Sequence, residues 1–373
     1  MDGTTGVELI RLLGSFLVII VGAELFTNGV EWLGVRLRLS EGAVGSVLAA
    51  VGTALPETLI PMVALVFFRE AASHDIALGA ILGAPFMLAT LAFCVTALAA
   101  VVYRKRRENG ARLAVNRAVA SRDLSFFLLL YTAALLISFT PVGHWSRHLV
   151  AGLLLVGYIY YVYLNLRESA EGEKDEPLMF DLLWVASAFL HPSAPDRREL
   201  RQTRLDLVQG RHPHLAAVMG QIALALGFIL AGAYEFVTAT GHLATFAGFS
   251  PLVLALIVTP IATELPEKLN SIIWVRQGKD TLALGNITGA MVFQATFPVT
   301  LGMLLTPWHF GGDPVGRSAL LSAAIAVGSA LLLLITLRTR KDKPGATWVL
   351  AAGGLWWLAY FVFVLVTIIL PHH

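Results

Sequence analysis

The sequence has few charged residues and a single cysteine. Only 14% of its 373 residues are Asp, Glu, Lys or Arg, whereas soluble domains contain about a quarter. The mean hydropathy is +0.73, and 57% of the residues are hydrophobic. This composition excludes a cytosolic enzyme, a disordered chain and a nucleic-acid binder. Because Cys94 is alone and lies in an apolar run, a disulfide framework and a cysteine-based metal site are excluded as well.

Long apolar runs are abundant instead. A membrane-spanning helix needs about 20 mostly apolar residues, and runs without strict alternation indicate helices rather than barrel strands. The sequence therefore predicts an all-α polytopic membrane protein with ten transmembrane helices. The first run is long enough to span and lacks a small-residue cleavage motif, so we expect no cleavable signal peptide. The predicted spans are 9–33, 43–68, 76–102, 124–141, 147–166, 214–240, 249–275, 281–306, 317–337 and 347–370.

The basic residues are distributed unevenly among the predicted connections. One side of the membrane receives 22 of the 27 and the other side receives four, with Lys268 left inside a helix. Because positively charged loops stay in the cytoplasm, we expect both termini outside the plasma (inner) membrane. The charged linker 167–213 is then cytoplasmic. Within it, segment 177–190 is too short to span and is expected to form an interfacial helix.

The two halves of the sequence are related to each other. Residues 53–57 (TALPE) match 263–267 (TELPE) at an offset of 210, and residues 77–84 match 283–290 at an offset of 206. Five helices per half is an odd number, so the second half is inverted relative to the first, as in secondary transporters. The sequence thus predicts inverted five-helix repeats at 1–166 and 214–373. One chain already contains both repeats, so no oligomer is required.

Each repeat places one Thr-x-x-Pro-Glu motif inside an apolar span. The carboxylates of Glu57 and Glu267 are costly in hydrocarbon unless they face a cavity, a proton or a cation. The proline of each motif removes a helix hydrogen bond, so the freed carbonyls and the hydroxyls of Thr53 and Thr263 become oxygen ligands. Antiparallel pairing brings the two glutamates face to face. Hard cations such as Ca²⁺ take six to eight oxygens, and no His or Cys cluster offers the ligands that zinc or copper prefers.

These motifs resemble those of the Ca²⁺/cation antiporter superfamily, and in particular the membrane domain of sodium/calcium exchangers. The family reads Gly-Thr-Ser-x-Pro-Glu, which is similar to 52–57 (GTALPE) and 262–267 (ATELPE). It continues with Gly-Asn-x-x-Gly-Ser-Asn-x-x-Asn, which is similar to 79–88 (GAILGAPFML) and 285–294 (GNITGAMVFQ). The resemblance covers essentially the whole membrane domain.

The resemblance implies that Glu57 and Glu267 bind Ca²⁺, with Thr53 and Thr263 contributing ligands. It implies alternating access in which Na⁺ or H⁺ drives Ca²⁺ export. Helices 1 and 6 would slide past a core formed by helices 2, 3, 7 and 8. The expected partners are inorganic cations and the lipid bilayer, with neither a cofactor nor nucleic acid involved.

The sequence departs from the family motif mainly in the first repeat. The family's Asn, Ser, Asn and Asn are replaced there by residues whose side chains cannot coordinate an ion: Ala80, Ala84, Pro85 and Leu88. The second repeat retains Asn286 and offers Gln294. The missing ligands count against exchange of three Na⁺ and favour coupling to H⁺ or to a different cation.

Four further charged residues are predicted at membrane depth. Glu264 stands at a family serine position and shares a helix face with Lys268, four residues later. This spacing predicts a buried ion pair; alternatively, Glu264 is a third cation ligand, or Lys268 is a tethered cation that competes for an ion site. If Lys268 reaches Glu267 instead, the site holds no Ca²⁺. Glu24 and Glu235 are candidate gates or proton relays, unless they lie at wet helix ends.

Two functions from different classes remain open at this point. The first is a secondary active antiporter that exchanges Ca²⁺, or another divalent or different cation, for Na⁺ or H⁺. The second is a transport-inactive or sensory membrane scaffold, which the missing first-repeat ligands favour. An intramembrane enzyme is not expected, because the sequence contains neither a nucleophile–base pair nor a metalloprotease motif.

Overall fold

The structure is a computed structural model that describes most of the chain. The described residues are 3–36, 50–68, 71–139, 144–171, 214–248, 250–310, 312, 314–339, 345–364 and 366. The predicted interfacial helix at 177–190 and most of the linker 167–213 lie outside them.

The described residues are almost entirely helical. The first half contains α1 (Gly3–Arg36), α2 (Ala50–Phe67), α3 (Ala71–Met87), α4 (Phe93–Val102), α5 (Arg117–Leu136) and α6 (His144–Glu171). The second half contains α7 (Leu215–Ala247), α8 (Pro251–Thr263), α9 (Leu265–Arg276), α10 (Asp280–Gln294), α11 (Phe297–Leu305), α12 (Pro314–Thr339) and α13 (Gly345–Val364). A π-helical turn, Leu88–Ala92, joins α3 to α4 in one continuous span.

The ten predicted spans correspond to helical segments of the structure. In the described ranges, eight segments are long and apolar enough to cross a membrane, and two shorter apolar segments, Glu57–Phe67 and Pro251–Ile261, lie in α2 and α8. The all-α polytopic fold with ten spans is therefore confirmed. Some boundaries differ: the span predicted at 124–141 begins at Arg117. The side chain of Asn116 accepts hydrogen bonds from the first turn of α5 and caps the helix there.

Two of the predicted spans are interrupted helices. The span predicted at 249–275 breaks at Glu264, between α8 and α9. The span predicted at 281–306 breaks between α10 and α11. In both cases the following helix carries a proline, Pro266 or Pro298, in its first turn. A proline has no N–H to continue the preceding helix but is tolerated at a helix start.

The pair formed by α1 and α7 shows the inverted relation between the halves. A Cβ atom added at Gly22 would lie 2.8 Å from Cγ1 of Ile229, and one added at Gly232 would lie 2.7 Å from Cγ1 of Ile19. Each glycine and its counterpart are 210 residues apart, as are the two isoleucines. Replacing each residue of one contact by its counterpart in the other half therefore gives the other contact. This reciprocity is expected for two related helices that pack about a pseudo-two-fold axis.

Helices α3 and α8 approach each other with almost no side chains between them. The backbone at Gly79 lies against the carbonyl of Leu252, and the backbone at Gly83 lies against the carbonyl of Leu256. Two small residues four positions apart allow such an approach inside a membrane. The largest apolar core surrounds α3, α5 and α10 to α13. A second core lies among α1, α2, α3 and α7.

Replacing Gly22 by alanine is expected to destabilise the protein, because the new methyl group must displace Ile229 and also approaches the backbone of α7. Overpacking of this kind costs about 1–3 kcal/mol. Gly14 is the matched control, since it lies in the same helix and a Cβ there would meet nothing within 4 Å. The apparent melting temperature in detergent should fall for Gly22→Ala and not for Gly14→Ala. An equal response of the two variants would contradict the close contact.

Candidate cation site

The second Thr-x-x-Pro-Glu motif lies at the break between α8 and α9. Helix α8 ends at Thr263, and Glu264 has φ −92° and ψ 2° before α9 begins at Leu265. Pro260, inside α8, has no N–H for the carbonyl of Leu256, four residues earlier. Pro266, in the first turn of α9, likewise has no N–H for the carbonyl of Ala262. The two prolines thus remove the usual donors of two backbone carbonyls of the span, as the motif predicts, whereas the carbonyl of Pro260 still accepts from the N–H of Glu264 at 3.2 Å.

Glu57 is buried and is held by a side chain from the opposite repeat. The Nε2 atom of Gln294 donates a hydrogen bond of 3.1 Å to Oε2 of Glu57. Glu57 lies in α2, and Gln294 is the last residue of α10, where that helix is interrupted. The Oε1 atom of Gln294 is buried, and the described part of the chain offers it no hydrogen-bond partner. The structure therefore brings a predicted carboxylate ligand and a predicted modulator together across the two halves.

Glu264 and Lys268 form the ion pair that their spacing predicts. The Nζ atom of Lys268 lies 3.0 Å from Oε2 of Glu264 and 3.5 Å from the carbonyl oxygen of Pro260. The pair is almost inaccessible: Glu264 is 1% exposed and Lys268 is 6% exposed. The second carboxylate oxygen of Glu264, Oε1, is buried and has no hydrogen-bond partner among the described residues. Among the predicted alternatives, the structure thus shows Lys268 bound to Glu264.

The other predicted ligands are only partly described. The hydroxyl of Thr263 is buried and donates to the carbonyl of Thr259 at 3.1 Å. The side chains of Thr53 and Glu267 lie outside the described part of the structure, although both residues belong to helices. Asn286 is half-buried, and its Nδ2 atom forms no hydrogen bond with the residues that the structure describes. It precedes Gln294 by eight residues in α10, which corresponds to about 12 Å along the helix.

The two candidate gates are not brought together. Glu24 is exposed on α1. Glu235, on α7, lies 2.8 Å from Nη2 of Arg11. Arg11 also lies 3.3 Å from Glu8, which in turn contacts His242 at 3.1 Å. Glu235 thus belongs to an ionic contact between α1 and α7.

The positions at which the first repeat departs from the family motif are apolar and buried. Ala80, Ala84 and Leu88 are each at most 2% exposed. They contribute to packing against the neighbouring helices, and none offers an oxygen or nitrogen. The described part of the chain contains no group of three His, Cys, Asp or Glu residues that could hold a metal. The candidate ligands are thus two glutamates together with hydroxyl, amide and backbone oxygens.

A further buried carboxylate was not predicted from the sequence. Asp123, on α5, accepts hydrogen bonds from Oγ1 of Thr288 at 2.8 Å and from the hydroxyl of Tyr161 at 3.1 Å. Arg122 lies 3.5 Å from the same carboxylate. The span predicted at 124–141 begins one residue later, so Asp123 was counted with the loop. A helix start at Arg117, signalled by the Asn116 cap, would have placed it inside.

A second unpredicted pair lies where the α4–α5 connection meets the α9–α10 connection. Arg107 and Asp280 form a bidentate ion pair with two N···O distances of 2.7 Å. Arg107 also donates to the carbonyls of Gly110, Arg112 and Val275, and the backbone N–H of Ala114 donates to Asp280. We call this the Arg107–Asp280 clamp. Sequence reasoning treated Arg107 only as one of many basic loop residues.

The interrupted helices, the inverted repeats and the buried carboxylates of Glu57 and Glu264 define a membrane transporter of the inverted-repeat class. Comparison with known protein families identifies the family within this class. The family model described as sodium/calcium exchanger protein matches residues 7–167 and 217–369. The chain therefore belongs to the sodium/calcium exchanger family of membrane-embedded cation antiporters.

Two individual proteins are similar to most of the chain. A protein named CaxA from Alkalimonas amylolytica, described as an antiporter, is 25% identical over 336 residues, which cover 90% of this chain and 91% of the relative. The inner membrane protein YrbG of Escherichia coli (strain K12) is 27% identical over 267 residues, covering 71% and 80%.

Two solved structures share the fold. The H⁺/Ca²⁺ exchanger CAX is 17% identical, with a TM-score of 0.61 over 98% of this chain and 90% of the other. The sodium-calcium exchanger NCX_Mj is 17% identical, with a TM-score of 0.54 over 98% and 99%.

Proposed function

We propose that this protein is a secondary active antiporter that exchanges a divalent cation, Ca²⁺ being the first candidate, for Na⁺ or H⁺. The observation that carries the proposal is the buried carboxylate of Glu57, which Gln294 binds from the opposite repeat. A buried carboxylate inside a membrane needs a cation or a proton to neutralise it. The geometry fits a site built from both repeats.

The donor set favours a hard divalent cation. Glu57 and Glu267 supply two carboxylates, Thr53 and Thr263 supply hydroxyls, and the interrupted helices supply carbonyls. Oxygen ligands of this kind suit Ca²⁺, whereas zinc and copper prefer imidazole and thiolate. The half-buried amide of Asn286 and the free oxygen of Gln294 are additional polar groups on α10. The relatives named for H⁺/Ca²⁺ and sodium-calcium exchange support the same choice.

Alternating access would be produced by α1 and α7 moving together past the other helices. The reciprocal contacts of Gly22 and Gly232 and the bond between Arg11 and Glu235 join these two helices closely. The candidate site lies on α2, on the α8–α9 break and on α10. Movement of the joined pair would therefore expose the site to one side of the membrane and then to the other, without distorting the site helices.

The charge distribution supports an orientation in the plasma (inner) membrane. With 22 basic residues on one side and four on the other, we place the linker 167–213 in the cytoplasm and both termini outside. The repeats 1–166 and 214–373 then form one transport unit. The unit needs no second copy of the chain and no cofactor.

A transport-inactive scaffold is the second candidate, because Ala80, Ala84 and Leu88 are apolar and buried where the family motif has polar residues. Flux in proteoliposomes separates the two. Vesicles containing the purified protein and a Ca²⁺ indicator are given an Na⁺ gradient or a pH gradient separately, and Mn²⁺ and monovalent cations are then tested in the same way. We expect Ca²⁺ movement that depends on one of the gradients. No movement of any of these cations under either gradient would favour the scaffold.

A further inference from the structure

The Glu264–Lys268 pair occurs in only one of the two repeats. At the 210-residue offset, the first repeat has Ala54 in place of Glu264 and Thr58 in place of Lys268. The acidic and the basic residue are therefore both present in one motif and both replaced by neutral residues in the other. Such joint replacement indicates that the two charges compensate each other.

The compensation gives both motifs the same formal charge. The first contains one negative charge, that of Glu57. The second contains the negative charges of Glu264 and Glu267 and the positive charge of Lys268, so its sum is also one negative charge. The two motifs together present two negative charges, which one divalent ion neutralises. Without the ammonium group a third negative charge would remain, and one further monovalent cation would be needed.

The Lys268 ammonium lies among oxygens that also suit an inorganic cation. Its Nζ atom contacts a carboxylate oxygen of Glu264 and the carbonyl oxygen of Pro260 at the helix break. The remaining carboxylate oxygen, Oε1, is buried, and no described residue forms a hydrogen bond with it. Removal of the ammonium would leave, beside that carbonyl, a buried carboxylate to which no donor in the described part of the chain is bonded. A carboxylate in this position requires a replacement cation.

We propose that Lys268 is a built-in monovalent cation that occupies one cation position beside the transport site. The effect on transport rests on the proposed function: the antiporter moves one fewer monovalent cation per divalent cation than it would with a neutral residue at position 268. A lysine whose role is only structural would stabilise the α8–α9 break without creating an Na⁺ site when it is removed.

The test compares Na⁺ binding by the wild type, Lys268→Met and the double variant Glu264→Gln/Lys268→Met. Binding is measured with ²²Na⁺ and as the rise in melting temperature with Na⁺ concentration, using choline as the control cation, because a ligand that binds the folded state raises its stability. We expect half-maximal stabilisation of Lys268→Met at an Na⁺ concentration at least tenfold lower than for the wild type. The double variant, which has no third negative charge, should lose this gain.

An unchanged Na⁺ response in Lys268→Met, or an equal gain in the double variant, would overturn the inference. If Lys268→Met does not fold, Lys268→Gln is measured in its place, because its amide can still donate to Glu264. In proteoliposomes, Lys268→Met and Lys268→Gln should exchange one more monovalent cation per divalent ion than the wild type and the double variant, which is read as a shift of the reversal potential. The binding measurement needs no divalent flux. Absence of flux in the wild type would therefore contradict the proposed function, whereas the role of Lys268 would still be decided by the Na⁺-binding measurement.

Discussion

Replacement of Glu57 by glutamine should lower divalent-cation flux by more than about a hundredfold. The substitution keeps the size of the side chain but removes the negative charge, and it places an amide against the amide of Gln294. Partners that merely orient a metal ligand contribute about 10–100-fold to affinity. A charged ligand should therefore contribute more. The measurement is the initial rate of Ca²⁺ movement into proteoliposomes as a function of Ca²⁺ concentration, under the gradient that drives the wild type.

The companion substitution Glu267→Gln should have a similar effect, because the two residues are equivalent under the repeat offset. Glu108→Gln is the matched control: Glu108 is exposed in the α4–α5 connection, and this variant should transport at the wild-type rate. All three proteins must elute as monodisperse species before their rates are compared. Transport that survives both Glu57→Gln and Glu267→Gln would show that the cation binds elsewhere in the protein.

Sequence reasoning was sufficient for the parts of the site that are encoded locally. The Thr-x-x-Pro-Glu motifs point to both candidate glutamates, and their prolines predict lost helix hydrogen bonds. The structure interrupts the second motif's span at Glu264, whereas α2 runs through Pro56 as one helix. The i,i+4 spacing predicts the bond between Glu264 and Lys268. The contact of Glu57 with Gln294 joins residues 237 positions apart in the sequence, and no pattern within a short stretch of sequence predicts such a contact. Both residues could be named from their motifs, but their contact needed the structure.

The fold could be predicted because long apolar runs and the 210-residue offset are properties of the sequence itself. The predicted helix boundaries were less accurate than the number of helices, because a helix can extend beyond the apolar run that identifies it. Asp123 shows the consequence: α5 begins at Arg117, and the carboxylate lies in the described helix bundle, bound to Thr288 and Tyr161. Glu235 shows why depth alone does not assign a role. The sequence left it as a gate, a proton relay or a residue at a wet helix end, and the structure shows its side chain bound to Arg11 on α1.

Replacement of Asp280 by asparagine should destabilise the protein by about 3–5 kcal/mol, because it leaves the buried guanidinium of Arg107 without its counter-charge. Both side chains of the Arg107–Asp280 clamp are at most 1% exposed. All five N–H donors of Arg107 are used, two of them on Asp280. The clamp fixes the start of α10, the helix whose last residue holds Glu57. Loss of the clamp should therefore reduce transport as well as stability.

The effect can be assigned to the pair with a double-mutant cycle. Asp280→Asn, Arg107→Met and the combined variant are compared by apparent melting temperature in detergent and by unfolding in SDS. If the two residues act as a unit, the combined variant should lose less unfolding free energy than the sum of the two single variants. The expected coupling energy is about 1–3 kcal/mol. Arg106→Met is the matched control, since Arg106 is exposed one residue away and should change stability by less than about 0.5 kcal/mol. Two results would contradict this role of the clamp: additive losses of stability, or a loss in Asp280→Asn no larger than in Arg106→Met. Either result would mean that backbone contacts hold the α4–α5 connection. The position of α10 would then not depend on the clamp.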